Sequence, residues 1–162
     1  MAEQKFLNAT YLVVQESELS EEQKSLLDHA RSARLRAYAP YSRFIVGAAV
    51  MLENGNVIEG NNQENASYPV GICAERVTLS SAAAQFPESA MLKLAITATG
   101  KDFKTSEPVS PCGICRQTIL EYEQRFSRNI EIILQGEEGK VFIISTVKDI
   151  LPLYFLASDF RK

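Results

Sequence analysis

The chain has 162 residues, a formal net charge of −3 and a pI near 5.3, a length that suits one ordinary domain. Its 46% hydrophobic content can build a buried core, and the mild acidity excludes a global basic field for gathering polymeric nucleic acid. No apolar run approaches the ~20 residues that span a bilayer, Met1 to Phe6 lacks the features of a signal peptide, and three cysteines do not close a disulfide framework; a cytoplasmic protein without a membrane partner is the expectation.

Asn8 to Gln15, which contains Tyr11, Leu12, Val13 and Val14, could form a short strand, but residues 1–19 are read as an N-terminal extension without an assigned role. Ser20-Glu21-Glu22-Gln23 is a capping box that opens a helix. Leu26, Leu27, Ala30 and Ala33 or Arg34 follow at helical spacing, and the helix is expected to run to about Tyr38, with Pro40 as its stop. Ile45 to Leu52 reads as a buried strand, and Asn54-Gly55 turns it into a partner strand from Asn56 to Gly60. A polar loop spans Asn61 to Gly71. Ala74 to Phe86 is helical by spacing and ends before Pro87, and Leu92 to Thr99 is a further strand. After a second polar loop, Ser110 is the expected N-cap and Pro111 the first residue of a helix carrying Ile114, Thr118, Ile119, Tyr122 and Phe126. Ile130 to Leu134 and Lys140 to Ile144 flank the Gly136 to Gly139 turn, and Ser145 is expected to cap a last short helix. Helices alternating with five strands predict an α/β domain over residues 1–162, a mixed sheet covered by helices.

The cysteines fall in two clusters, Cys73-Ala74-Glu75-Arg76 and Pro111-Cys112-Gly113-Ile114-Cys115-Arg116-Gln117, each at a predicted helix start. Thiolates suit zinc, and helix N-termini lower thiol pKa values. Three ligands leave one tetrahedral position open, the pattern of a catalytic zinc. A redox pair and a closed structural zinc are the rival readings. Thioredoxin-like C-x-x-C motifs follow the first strand of their fold, whereas this pair lies late in the chain. A fourth ligand would have to be His29, the only histidine, far from both clusters inside the first helix.

Glu75 stands two residues after Cys73, and i,i+2 positions on a helix do not share a face. It should miss the metal yet reach a water beside it. Zinc deaminases carry H-x-E followed by P-C-x-x-C, the glutamate working as acid and base without binding the metal. Cys73 stands here in the histidine's place.

Five motifs in order extend the pattern: Ala39-Pro40-Tyr41-Ser42-Arg43-Phe44, Gly60-Asn61-Asn62-Gln63-Glu64-Asn65-Ala66, the two cysteine clusters, and Leu151-Pro152-Leu153-Tyr154-Phe155. From Tyr38 to about Phe160 the sequence resembles the cytidine deaminases of the small homotetrameric type. The resemblance implies a three-layer α-β-α fold with a mixed five-stranded sheet. It also implies Zn2+ on Cys73, Cys112 and Cys115, Glu75 as proton carrier, and hydrolytic deamination of a pyrimidine nucleoside in salvage. Asn62 and Glu64 match the ribose-binding pair, Phe44 a wall of the base pocket, and Tyr41 and Tyr68 residues near the sugar. Ala74 would offer its backbone N–H to the base carbonyl, and Arg76 would offset thiolate charge by hydrogen bonding to the sulfurs. Phe155 matches a residue that reaches a neighbouring subunit's pocket. Leu156-Ala157-Ser158 stands where the family often has Gly-Pro-Glu. Blasticidin-type deaminases share the zinc motifs, but Asn62-Gln63-Glu64-Asn65 favours a nucleoside. Cytidine and deoxycytidine both remain open, and a non-enzymatic zinc-binding module is the rival of another class.

Overall fold

Leu26, Leu27, Ala30 and Ala33 recur every three or four residues and form the buried face of helix α1, Glu21–Arg34. The computed structural model describes residues 3–160; residues 1, 2, 161 and 162, the ends of the span read as one domain, lie outside the described residues. The capping box forms as predicted: the Gln23 backbone N–H donates to Ser20 Oγ (3.2 Å), and the Ser20 N–H donates to Gln23 Oε1 (3.0 Å). The helix stops at Arg34, short of Tyr38. Arg36 and Ala37 donate three residues back, to Ala33 and Arg34, and Tyr38 leaves for an extended pairing in which its carbonyl accepts from Glu64 N at 2.8 Å. Long-range pairing overrides the local helical signal there.

The sheet has six strands rather than the expected five: β1 (Leu12–Val14), β2 (Phe44–Leu52), β3 (Val57–Asn61), β4 (Met91–Gly100), β5 (Glu131–Gln135) and β6 (Val141–Ile144), in the order β1-β6-β5-β4-β2-β3. Only β4 and β5 run parallel; the other neighbours are antiparallel. The sixth strand comes from the N-terminal extension, where Leu12 pairs with Ile143 and Val14 with Val141. Glu16 anchors the segment that follows: Arg31 Nη2 (2.7 Å) and Gln135 Nε2 (3.0 Å) both donate to its carboxylate.

Helices α2 (Ala74–Gln85) and α3 (Gly113–Phe126) cover one face of the sheet, and α1 covers the other. The period-2 alternation of the strands sorts the core accordingly. Ala48, Val50, Leu94, Ile96, Ile132 and Leu134 meet Leu79, Ile119 and Leu120 of α2 and α3, whereas Ala49, Ala95 and Ile133 meet Leu26, Leu27 and Ala30 of α1. Each fully buried leucine or isoleucine is worth about 1.5–3 kcal/mol. Two glycines on neighbouring strands let helix backbones come close: a Cβ on Gly47 would lie 2.5 Å from Arg34 N in α1, and one on Gly60 would lie 2.8 Å from Thr78 N in α2.

Two predicted helix starts move. Helix α3 is capped by Cys112, in extended backbone (φ −67°, ψ 168°), so Ser110 and Pro111 stay outside it. The last short helix is a 3-10 turn, Val147–Ile150, capped by Thr146 rather than Ser145, with Lys148 N–H donating to Thr146 Oγ1. Buried Glu123 fixes α3 against this region, because its carboxylate accepts from Ile130 N (3.0 Å), Val147 N (3.1 Å) and Thr146 Oγ1 (2.8 Å).

Candidate active site

Cys73 is the N-cap of α2 and Cys112 the N-cap of α3, so the positive ends of two helices converge on the same point. Cys115 projects from the first turn of α3. Its Sγ lies 3.5 Å from that of Cys112, Cys112 Sγ lies 4.0 Å from Cys73 Sγ, and all three sulfurs lie within 4.8 Å of one another. Thiolates bound to one tetrahedral zinc at ~2.3 Å stand roughly 3.8 Å apart. Donor chemistry and spacing therefore both fit zinc, with no fourth protein ligand in the cluster among the described residues. His29 sits on α1 with its Nδ1 2.7 Å from Glu59 Oε1 and does not join the sulfurs.

The two helix N-termini favour thiolate over thiol, and the cysteines respond unequally. A hydrogen bond from Cys115 is the main cause that brings the Cys73 thiol down to about 6, with smaller help from Cys112 and from the charge of Arg76. The Cys115 thiol is pushed up by the same hydrogen bond and by burial. Glu75, the second residue of α2, is only 5% exposed. Burial raises its pKa above the usual carboxylate range, against lesser opposition from its own backbone N–H and the Cys115 thiol.

Beside these groups lies a cavity of about 290 Å³. Phe44, Asn62, Glu64 and Ala74 line it together with Cys73, Cys112 and Glu75, so seven residues singled out from the sequence converge on one space. Tyr41 and Tyr68 line an adjoining cleft of about 380 Å³, which shares Ser42 and Glu64 with the cavity. Their rings meet edge to face at 6.0 Å.

Local bonding explains how the polar wall is held. Asn62 Oδ1 accepts from Val46 N (2.8 Å) and its Nδ2 donates to Phe44 O (2.9 Å), fixing the amide against the start of β2. The Glu64 carboxylate accepts from the backbone N–H groups of Tyr41 (2.9 Å) and Ser42 (3.3 Å) and from the Ser42 hydroxyl. Desolvation raises the Glu64 pKa, but the Ser42 hydroxyl and the two N–H groups outweigh it and hold the carboxyl below its ordinary range. Ala74 opens α2, where the first N–H groups of a helix have no intrahelical partner.

Two residues named from the sequence stand apart from the cavity. Phe155 is 60% exposed; its ring stacks on Phe160 at 5.5 Å and its carbonyl accepts from Gln117 Nε2 of α3 at 2.9 Å. Arg76 is half-buried and forms no hydrogen bond to the sulfurs among the described residues; it acts on Cys73 through its charge. The sequence reading did not place Ser42, Val109 or Ser110 at the site, yet all three also line the cavity. It also missed the role of Arg116, which donates to Pro111 O (2.8 Å) and Ile150 O (2.6 Å) and fixes the entry to α3. Arg116 follows Cys115 directly, the one sequence signal that could have flagged it.

Two helix-borne cysteine clusters closing on one metal position beside a buried glutamate define a zinc-site protein of α/β architecture. Residues 20–128 match the family of the cytidine and deoxycytidylate deaminase zinc-binding region, and the chain belongs to that family. It is 38% identical over 138 residues to the cytidine deaminase of Halalkalibacterium halodurans, an alignment covering 85% of this chain and 97% of that one. Identity to the cytidine deaminase of Sporosarcina psychrophila is 36% over 136 residues, covering 84% and 93%. Among solved structures, the cytidine deaminase of Burkholderia pseudomallei superposes with a TM-score of 0.72 at 37% identity, over 85% of this chain and all of the other.

Proposed function

We propose that the protein is a zinc-dependent cytidine deaminase that hydrolyses cytidine, deoxycytidine or both to the uracil nucleoside and ammonia. The observation that carries this reading is the meeting of three thiols and a buried glutamate at one cavity of small-ligand size. Zinc held by Cys73, Cys112 and Cys115 would supply Lewis acidity and draw the pKa of a water toward ~7.

This chain's own residues do the rest. Glu75 takes a proton from the attacking water and delivers it to ring N3 as oxygen bonds to C4. It then carries the remaining proton of the new C4 hydroxyl to the amine, and the C4–N bond breaks to release ammonia as the C4=O bond forms. The Ala74 N–H holds the base carbonyl and Phe44 packs on the base. Asn62 and Glu64 hold the sugar hydroxyls, with Tyr41 and Tyr68 on the sugar's side of the site. Arg76 offsets the negative charge of the thiolates.

We further assign a homotetramer in which Phe155 of one chain completes a neighbour's site; its exposure and distance from its own cavity support this. No helix among the described residues is long and apolar enough to cross a membrane. Free thiols at a metal site fit a reducing compartment, and we place the protein in the cytoplasm, in pyrimidine salvage. Loss of cytidine absorbance on adding purified protein tests the activity. No change in absorbance with the zinc-loaded protein refutes it.

A further inference from the structure

Phe44 has an aromatic neighbour that does not line the cavity. The ring of Phe103, in the loop after β4, stacks on it with centroids 6.2 Å apart and planes inclined by 8°. The sheet register explains why this place is free. Phe44 opens β2 directly opposite Gly100, the last residue of β4, so it has no cross-strand side chain on that partner. Phe103 folds back into the vacancy: a Cβ on Gly100 would lie 2.5 and 2.6 Å from two of its ring atoms.

Three polar contacts hold the fold-back. Gly100 N–H donates to Phe103 O (3.1 Å), Lys101 N–H donates to Arg43 O (2.8 Å), and Arg43 Nε pairs with Asp102 Oδ2 (2.8 Å). Arg43 takes a left-handed φ of 57° to make this junction, a conformation unfavourable for a residue with a side chain. The Arg43–Asp102 pair is exposed and screened, so the ring stack carries the specificity of the contact. Farther along, the same loop supplies Val109 and Ser110 to the cavity wall and leads into Cys112.

We propose that Phe103 is a positioning residue for base recognition: it supplies the cross-strand partner that Gly100 lacks and holds the Phe44 ring in the orientation that packs the pyrimidine. The inference rests on the assignment of Phe44 as the wall that meets the base.

In the zinc-loaded protein, Phe103→Ala should raise the KM for cytidine about three- to tenfold, the scale of an aromatic pair, with kcat and zinc content held. Phe103→Tyr keeps the ring and should keep the wild-type KM. Gly100→Ala leaves Phe103 in the chain but fills its seat, and should reproduce the KM of Phe103→Ala. Phe44→Ala should raise KM on its own, and adding Phe103→Ala to it should change nothing more, because Phe103 acts through Phe44. An unchanged KM in Phe103→Ala, a Tyr variant as impaired as the Ala variant, or additive effects in the double variant would each overturn the proposal, as would loss of zinc alongside KM. If Phe44→Ala leaves KM unchanged, the base-wall assignment is the part that fails and the inference falls with it. A wild-type protein inert toward cytidine fails earlier, at the proposed activity.

Discussion

The sulfurs of Cys73 and Cys112 stand 4.0 Å apart although 39 positions separate them in the chain, because each is the N-cap of a helix packed on the same face of the sheet. Metal binding is therefore a property of how α2 and α3 pack. About one zinc per chain is expected, and replacing Cys73, Cys112 or Cys115 by Ala should lose metal and activity together. Metal analysis of the three variants checks this. Full zinc occupancy in Cys73→Ala would remove it from the ligand set.

Glu75→Gln keeps size and burial but removes the proton carrier. Zinc content should remain near one per chain while turnover drops by ~10²-fold or more. Steady-state rates with metal quantified on the same sample separate the two effects. Near wild-type turnover would end the shuttle role.

Glu64 gathers the Tyr41 and Ser42 donors as well as facing the cavity. Glu64→Ala should cost about 1–3 kcal/mol of nucleoside binding, roughly 5- to 150-fold in KM, with zinc retained. Free cytosine, lacking the sugar, should be a poor substrate. The depressed pKa of Glu64 gives a sign to the pH dependence. A group ionised below the ordinary carboxylate range loses its function only as pH falls through that lowered value. The contribution of Glu64 to KM should thus stay flat from neutrality down to about pH 5, and a difference between wild type and Glu64→Ala that vanishes by pH 6 would contradict the assignment.

Removing residues 1–15 strips β1 from β6 and takes Val14 from the edge of the core beneath α1, while all three helices stay in the chain. Losing edge-strand hydrogen bonds should cost about 1–3 kcal/mol, a fall of several degrees in melting temperature, with KM and kcat preserved. An unchanged melting temperature would mean that the added strand contributes no stability.

Light scattering at micromolar concentration should give a mass near four chains. Phe155→Ala should then impair nucleoside binding more than zinc binding. Mixing Phe155→Ala with Glu75→Gln chains should recover activity that neither shows alone. A fully active species of one 18.0 kDa chain would end the shared-site assignment.

The chemistry was legible in the sequence because it depends on rare residues at fixed spacing. Three cysteines, Glu75 and the Asn62/Glu64 pair need only be recognised; the fold gathers the three sulfurs in one cluster and brings Cys73, Cys112, Glu75, Asn62 and Glu64 to one cavity. Local cooperativity made Ser20 and Gln23 legible as well. What escaped were features set by distant partners. Leu12–Val14 carries enough local signal to suggest a short strand, but its partner, Val141–Ile143, lies at the far end of the chain, so its place as the sheet's sixth strand was not legible. Tyr38 abandons the helix for Glu64, and Glu123 acquires its three donors from segments that are separate in sequence. At α3, Ser110-Pro111 is a sound local start signal, but the backbone turns helical only after Cys112, whose sulfur faces the other two.

The close approach of helices at Gly47 and Gly60 bears on how variants of this protein would be interpreted. Ala48 pairs with Gly60 across β2 and β3, so the two glycines sit side by side with a helix backbone pressed on each from opposite faces. A methyl group at Gly60 must push Thr78, one turn beyond Cys73 and Glu75 on the same helix. In a loss-of-function screen, Gly60 should therefore score alongside the cysteines although it does not line the cavity, and a ranking of variants by distance to the cavity would misplace it.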